Sequence, residues 1–337
     1  MPKIMKESIV SFFLSKIDTN KFSDFIKKSV VLSVPYKIIV QRLIDWNFPY
    51  HVFLESTNVC NLRCKICTRN LSPLKLGSMD FELFKKIVNE AGLHGPRNFS
   101  LHLFGEPLLA PNITQMLEYI KQKKPKNTVL LTTNGVLLNK EISQKIINSG
   151  VDKAIVSIHG ANEQQYRAVT GTDNLKTVEK NIKNLIDLKN AAKKNKPKIF
   201  LRMVSPKENA IEIKNFCQRW SSYPVFIDIK EPHNFGGRIE TGRLADDLPK
   251  RYPCYHLWLA PGINWDGKVS ICCCDTFKEV IIGNINQNSL CEIWRGKKLK
   301  QYRDYHLKGQ YDKISVCKNC DVWTTYPDIF FEWQKQN

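Results

Sequence analysis

A chain of 337 residues, 42% hydrophobic and 25% charged, can bury one large core with an appendage or form two domains, and it has no apolar run long enough to cross a bilayer. Its net charge of +19 rests mainly on scattered lysines, which suits an acidic partner or an anionic substrate and, without an arginine stripe and interleaved aromatics, excludes a specific nucleic-acid surface. No signal-peptide pattern opens the sequence, so a cytoplasmic location is expected, where eleven cysteines point to metal or catalysis before disulfides.

Residues 1–48 carry Ile9, Phe12, Phe13 and Ile17, then Phe22, Phe25 and Ile26, at helical spacing. They read as a helical cap on the main domain; peripheral membrane contact is the alternative and is not favoured. Residues 49–243 alternate strand-like and helix-like segments. The strands are "HVFLES" (51–56), "NFSLHLF" (98–104), "TVLLTT" (128–133), "KAIVSIH" (153–159), "KIFLRMV" (198–204) and "VFIDIK" (225–230). Helical patterns fall near 80–92, 112–123, 140–149, 174–192 and 209–220, with Asn139 and Asn174 at expected caps and Gly150 at an expected stop. The fold class is therefore α/β, a partial (β/α)6 TIM-type barrel with its site at the C-terminal ends of the strands. Residues 244–337 change character: two strands joined at Asp266–Gly267, a helix over "SLCEIWRGKKLKQYR", then "CKNC". They form a small cysteine-rich hairpin and helix appendage.

Cys60, Cys64 and Cys67 follow the first strand as C-x3-C-x2-C. Three thiolates can hold three irons of a 4Fe–4S cube and leave the fourth iron open. On spacing alone, a zinc site completed by a distant ligand stands as the other reading. The second set runs Cys254, Gly267, Cys272, then Cys317 and Cys320.

"CNLRCKIC", "FGEP" (104–107), "TTNG" (132–135) and "VSIHG" (156–160) come in order, each at a strand's end. Together they resemble the radical S-adenosylmethionine (radical SAM) superfamily over residues 50 to 325. The resemblance implies an open-site 4Fe–4S cluster on Cys60, Cys64 and Cys67 that chelates S-adenosylmethionine. One electron would then release a 5′-deoxyadenosyl radical that abstracts hydrogen from substrate. Gly105 and Glu106 would meet the methionyl amine, largely through backbone groups, with Pro107, Asn134 and Ser157 in the same cofactor site. Arg202 on the fifth strand would either pair with the cofactor's carboxylate or be a structural arginine lining the barrel. Ile66 stands where the family often has an aromatic residue, and supplies apolar contact only. His159 departs from the family's Ser-x-Asp-Gly and is either a substrate-facing acid/base or a hydrogen-bonded wall residue.

The second cysteine set resembles a shortened SPASM, or twitch, appendage, which implies one auxiliary 4Fe–4S cluster on Cys254, Cys272, Cys317 and Cys320. Glycine spacing selects Cys272 over Cys273 and Cys274. A fully ligated cluster suits electron transfer, so the resemblance implies oxidation of an alcohol in a carbohydrate-like or other small hydroxylated substrate. Glu231 and His233, after the sixth strand, are candidates for taking the hydroxyl proton, and Arg238 for holding the substrate. An acidic electron donor such as flavodoxin or ferredoxin is the expected partner. A redox-neutral epimerase or mutase, or a peptide-modifying enzyme, is the alternative. There Cys217, Cys273, Cys274 or Cys291 would be the hydrogen donor. A non-enzymatic metal-binding protein is the third reading.

Overall fold

A computed structural model describes residues 47–206, 208–241 and 251–325. The expected helical cap over 1–48 lies outside these residues except for its last two. The expected boundary at 243 also falls outside them.

Six parallel strands form the barrel wall: β1 (His51–Leu54), β2 (Asn98–Ser100), β3 (Thr128–Thr133), β4 (Lys153–Ser157), β5 (Lys198–Val204) and β6 (Phe226–Lys230). Three more join the same sheet: β7 (Gly262–Ile263), β8 (Lys268–Ser270) and β9 (Ile281–Asn284). The strand order is β6-β5-β4-β3-β2-β1-β7-β8-β9, and the sheet stays open between its end strands. The cysteine-rich appendage is thus a continuation of the barrel wall. β7 lies parallel to β1, with Phe53 beside Gly262, and β8 and β9 then run antiparallel. The turn forms where Asp266–Gly267 placed it, with Gly267 at φ +86.

Helices cover the outer face: α1 (Phe81–Leu93), α2 (Ile113–Lys123), α3 (Lys140–Asn148), α4 (Glu163–Thr170), α5 (Leu175–Ala191) and α6 (Ala210–Trp220). Their apolar stripes make the core. α5 buries Leu175, Val178, Ile182, Leu185 and Ile186, each contributing about 1.5–3 kcal/mol of transfer free energy. Caps fix the starts: Asp80 accepts from the Glu82 and Leu83 amides, and Asn139 from that of Ile142. Asn174 holds the N-cap position of α5 but makes no side-chain cap bond. Gly150, at φ +77, follows the end of α3.

Two elements differ from expectation. α4, capped by Asn162 and stopped by Gly171 in the left-handed region, was hidden by its polar composition. The single helix expected over "SLCEIWRGKKLKQYR" is two, α8 (Leu290–Arg295) and α9 (Lys297–Leu307), because Gly296 takes an extended conformation between them. A one-turn α7 (His256–Leu259) precedes β7, and a one-turn α10 (Ser315–Lys318) carries Cys317. Among the described residues no helix is long and apolar enough to cross a membrane.

Alternation along the strands decides what faces the barrel interior. In β3, Val129, Leu131 and Thr133 are buried while Thr128, Leu130 and Thr132 are half-buried. β1 behaves alike, with Val52 and Leu54 buried and His51 and Phe53 half-buried. The half-buried set lines the lumen.

Candidate active site

The loop leaving β1 is closed at its base by Asn58. Its side chain accepts from the Gly77 amide at 2.8 Å and donates to the Lys75 carbonyl at 2.9 Å. Inside that loop the Cys67 amide donates to the Cys64 carbonyl at 3.1 Å, and the Leu62 amide to the Cys60 sulfur at 3.5 Å. The Lys65 amide donates to the Val169 carbonyl at the end of α4. All three thiols are half-buried. Cys64 is pushed up to about 12 by burial and then by the charges of Cys67 and Cys60. Burial also raises Cys60 and Cys67. Such crowded thiols stay protonated until a cation draws them into thiolate form. Ile66 sits half-buried among them.

The loops after β2 and β3 lock onto this one through Glu106. Its buried carboxylate accepts from the Asn134 amide at 2.7 Å, the Thr133 hydroxyl at 2.7 Å and the Leu108 amide at 3.1 Å. The Glu106 amide donates to the Val59 carbonyl at 2.8 Å. Burial raises the Glu106 carboxyl against these three donors. Pro107 opens a buried 3₁₀ turn behind it. Gly105 is required because a Cβ there would stand 2.1 Å from the Thr57 carbonyl oxygen. Asn134 reaches back over the cysteine loop, donating to Asn61 Oδ1 at 2.7 Å and lying 3.9 Å from the Cys60 sulfur. Gly105, Glu106, Asn134 and the three cysteines are therefore brought together.

Ser157, Arg202 and Asp228 stand in one row across β4, β5 and β6, with Ser157 ending β4. Arg202 Nε donates to Asp228 Oδ2 at 2.7 Å, and Lys230 Nζ lies 3.1 Å from Asp228 Oδ1. Burial would raise Asp228, but Arg202 and Lys230 prevail and hold it below its ordinary value. His159 accepts the Val204 amide on Nδ1 at 3.2 Å; burial and then Arg202 lower it to about 4, so it is neutral.

Deeper in the lumen are residues the sequence reading missed. His51 Nε2 meets Ser100 Oγ at 2.7 Å, and His102 stands edge-on to Phe53. Burial holds both rings at about 3, aided by His256 and Lys153 for His51, and by Arg202 and His51 for His102. Their signal was present as polar residues at alternate positions of "HVFL" and "SLHLF".

The second thiol set converges in one largely apolar cavity lined by Cys254, Cys272, Cys274, Cys317, Cys320 and Leu257 among others. Burial raises Cys254 far above an ordinary thiol, followed by the charges of Cys320, Cys272 and Cys317. His306 Nδ1 accepts the Cys254 amide at 3.1 Å. Cys273 is outside that lining, its sulfur 3.8 Å from the His256 ring nitrogens.

The segment after β6 runs onto this cavity's wall. Asn234 and Asp321 exchange hydrogen bonds, amide to side chain, at 3.0 and 3.1 Å. Gly236 and Gly237 pack where a Cβ would meet Val316 and Asn319 at 2.8 and 2.9 Å. His233 Nε2 lies 3.2 Å from Thr325 Oγ1 and Nδ1 lies 3.8 Å from Asp321. Burial lowers His233 against Asp321's opposing pull. Arg238 pairs with Glu279 and lies over Phe277.

Family comparison agrees with this geometry. The model of the radical SAM superfamily matches residues 54–219, and that of the SPASM iron–sulfur cluster-binding domain matches 254–321. The chain belongs to the radical SAM superfamily. As a radical SAM enzyme it uses a 4Fe–4S cluster with S-adenosylmethionine, and its SPASM domain provides for an auxiliary cluster. The chain's own donors fit both, since each site gathers at least three thiols, the ligands such clusters require, with His256 and His306 also on the wall of the second.

The S-adenosyl-L-methionine-dependent 2-deoxy-scyllo-inosamine dehydrogenase of Niallia circulans is 23% identical over 274 residues, 80% of this chain and 91% of that protein. A tungsten-containing aldehyde ferredoxin oxidoreductase cofactor-modifying protein of Pyrococcus furiosus is 23% identical over 81% of this chain and 88% of its own. In fold, BtrN in complex with AdoMet and 2-DOIA matches with TM-score 0.55 at 20% identity, over 81% of this chain and 92% of its own. Streptococcus suis SuiB bound to precursor peptide SuiA matches with TM-score 0.63 at 15% identity, over 97% and 86%.

Proposed function

We propose that this radical SAM enzyme dehydrogenates a carbinol of a small, carbohydrate-like substrate in the cytoplasm, in two domains divided near residue 243. The observation that carries the reading is the Asn234–Asp321 exchange. It ties the segment leaving β6, at the barrel mouth, to the residue after Cys320. A substrate at the mouth would then lie beside the second thiol set. Likeness to the Niallia circulans dehydrogenase over most of both chains supports the same reaction.

Cys60, Cys64 and Cys67 would hold the cluster that binds S-adenosylmethionine, and that cofactor would supply, on one-electron reduction, the chemistry that removes a hydrogen atom from the substrate carbon. The chain's residues do the rest. Gly105 and Glu106 would hold the cofactor's methionyl end, with Ile66, Pro107, Asn134, Ser157 and Arg202 beside it. The polar lumen around Lys230 and neutral His159 receives hydroxyl groups. His233, neutral through burial, accepts the hydroxyl proton, with Glu231 two residues before it, and Asp321 stabilises the resulting cation. Cys254, Cys272, Cys317 and Cys320 would hold the acceptor of the remaining electron. Loss of one hydrogen atom, one proton and one electron leaves a ketone.

The test is isotopic. With carbinol-deuterated substrate, deuterium is expected in 5′-deoxyadenosine once per turnover, together with a carbonyl product. Solvent deuterium appearing at carbon without a carbonyl would overturn the reading in favour of a redox-neutral epimerase. His233→Ala turning over at the wild-type rate would remove that residue's role.

A further inference from the structure

The reaction above needs an electron from outside, and the structure offers a place for it to enter. Between Glu55 and Asp80 the sequence has four basic residues, Arg63, Lys65, Arg69 and Lys75, and no acidic one. Three of the four, Arg63, Lys65 and Lys75, are exposed. Among them, Leu71 and Leu76 are 59% and 55% exposed, two of the five large apolar residues that stand out in solvent among the described residues. Pro73 between them is exposed as well.

This patch belongs to the cysteine loop itself. Leu71 ends the 3₁₀ turn that begins directly after Cys67, so at most about 14 Å of extended chain separates the two. Asn58 holds the Lys75 carbonyl and the Gly77 amide, which returns Leu76 to within a few residues of Cys60. An apolar centre with a charged rim is the composition of a transient protein interface. A rim of one sign speeds encounter with a partner of the opposite sign. A substrate has no use for leucines turned to solvent on the outside of the loop. The segment is not an amphipathic helix, which argues against a lipid surface.

We propose that Leu71, Lys75 and Leu76, with the Arg63 and Lys65 rim, form the docking surface for a small acidic one-electron carrier protein that reduces the neighbouring cluster. The proposal rests on the radical SAM reading and supplies its partner.

The test uses the full-length holoenzyme and reduced flavodoxin as the acidic carrier. The triple variant Leu71→Ser, Lys75→Glu, Leu76→Ser alters solvent-facing side chains only. Lys194→Glu is the charge control, because Lys194 is exposed just before β5, at the opposite end of the barrel. Stopped-flow bleaching of the cluster and flavodoxin binding are measured at low and high salt. The triple variant is expected to lose about tenfold or more in both at low salt, with a flattened salt dependence. Dithionite-driven cleavage of S-adenosylmethionine should stay at the wild-type rate, and Lys194→Glu should match wild type throughout.

Equal flavodoxin-driven reduction in the triple variant and wild type overturns the proposal. So does salt-dependent binding to anionic phospholipid vesicles that the triple variant loses while flavodoxin reduction is unchanged. Failure of dithionite-driven cleavage in the wild type would instead strike the functional reading, so the two failures are distinct.

Discussion

Glu55, at the end of β1, and Lys278, between β8 and β9, form an ion pair of 3.0 Å with side chains 0% and 7% exposed. The Trp265 amide, in the hairpin turn, donates to the same carboxylate oxygen at 3.1 Å. One buried carboxylate thus fastens the cysteine-rich extension to the strand that launches the first cysteine loop. Removing only the cation leaves a charge stranded in the interior. Lys278→Met is expected to destabilise the protein by about 3–5 kcal/mol. The double variant Glu55→Gln, Lys278→Met should recover most of that, because the interior then holds no uncompensated charge. Chemical denaturation of the three proteins checks both statements.

Gly105 and Glu106 do different work at adjacent positions. Gly105→Ala puts a methyl 2.1 Å from the Thr57 carbonyl oxygen. Backbone on both sides cannot yield, so a loss of about 3 kcal/mol or more is expected. Glu106→Ala strands the Asn134 and Leu108 amides and the Thr133 hydroxyl, with an expected loss of about 2–4 kcal/mol. Both variants should also bind S-adenosylmethionine more weakly, read by equilibrium binding to the reconstituted protein at a temperature where each remains folded.

The sequence made the barrel legible because its strands alternate and its helices carry capped apolar stripes. "TVLLTT" and "KIFLRMV" are strands over the very ranges read from them. Cysteine spacing made the first thiol set legible, since its ligands sit on one short loop. The second set, spread from Cys254 to Cys320, was legible only through its resemblance to a SPASM appendage. Long-range pairings were not legible. Nothing in "GIN" announces that Gly262–Ile263 will lie parallel to β1, nor does Lys278 announce Glu55, 223 residues away. Arg202, on the fifth strand, reads as either a cofactor ligand or a structural arginine lining the barrel; its pairing with Asp228 came from strand register. His51, in β1, and His102, two residues beyond β2, escaped notice because a polar residue in an alternating apolar run marks a position facing the lumen without naming its role.

Acid should unfold this protein through those histidines. Folded-state values near 3 for His51 and His102 and near 4 for His159 lie below their ordinary 6.5. Between about pH 6.5 and 4 the unfolded chain therefore binds protons the folded chain refuses. The stability these groups confer is complete above pH 6.5 and is lost as pH falls through the folded values. Each contributes a slope of about 1.4 kcal/mol per pH unit inside that window. His102→Leu should remove one such increment, flattening the urea midpoint between pH 6 and 5 relative to wild type.

The three consecutive cysteines after β8 pose a choice: Cys272 and Cys274 both line the cavity, and the glycine spacing of the sequence selects Cys272. Cys254 and Cys317 are each raised by the charges of Cys272 and Cys320, and Cys274 is absent among the leading influences on either. Cys272 and Cys274 are themselves neighbours, each buried and each shifted by the other. Cys272→Ala is therefore expected to lower anaerobically reconstituted iron from about eight to about four per chain, the content of one cube. Cys273→Ala and Cys274→Ala should keep the full complement. Cys272→Ala should still release 5′-deoxyadenosine under dithionite, uncoupled from product, because Cys60, Cys64 and Cys67 form a separate set on the loop after β1. Full iron in Cys272→Ala with half in Cys274→Ala would reassign the ligand by two positions.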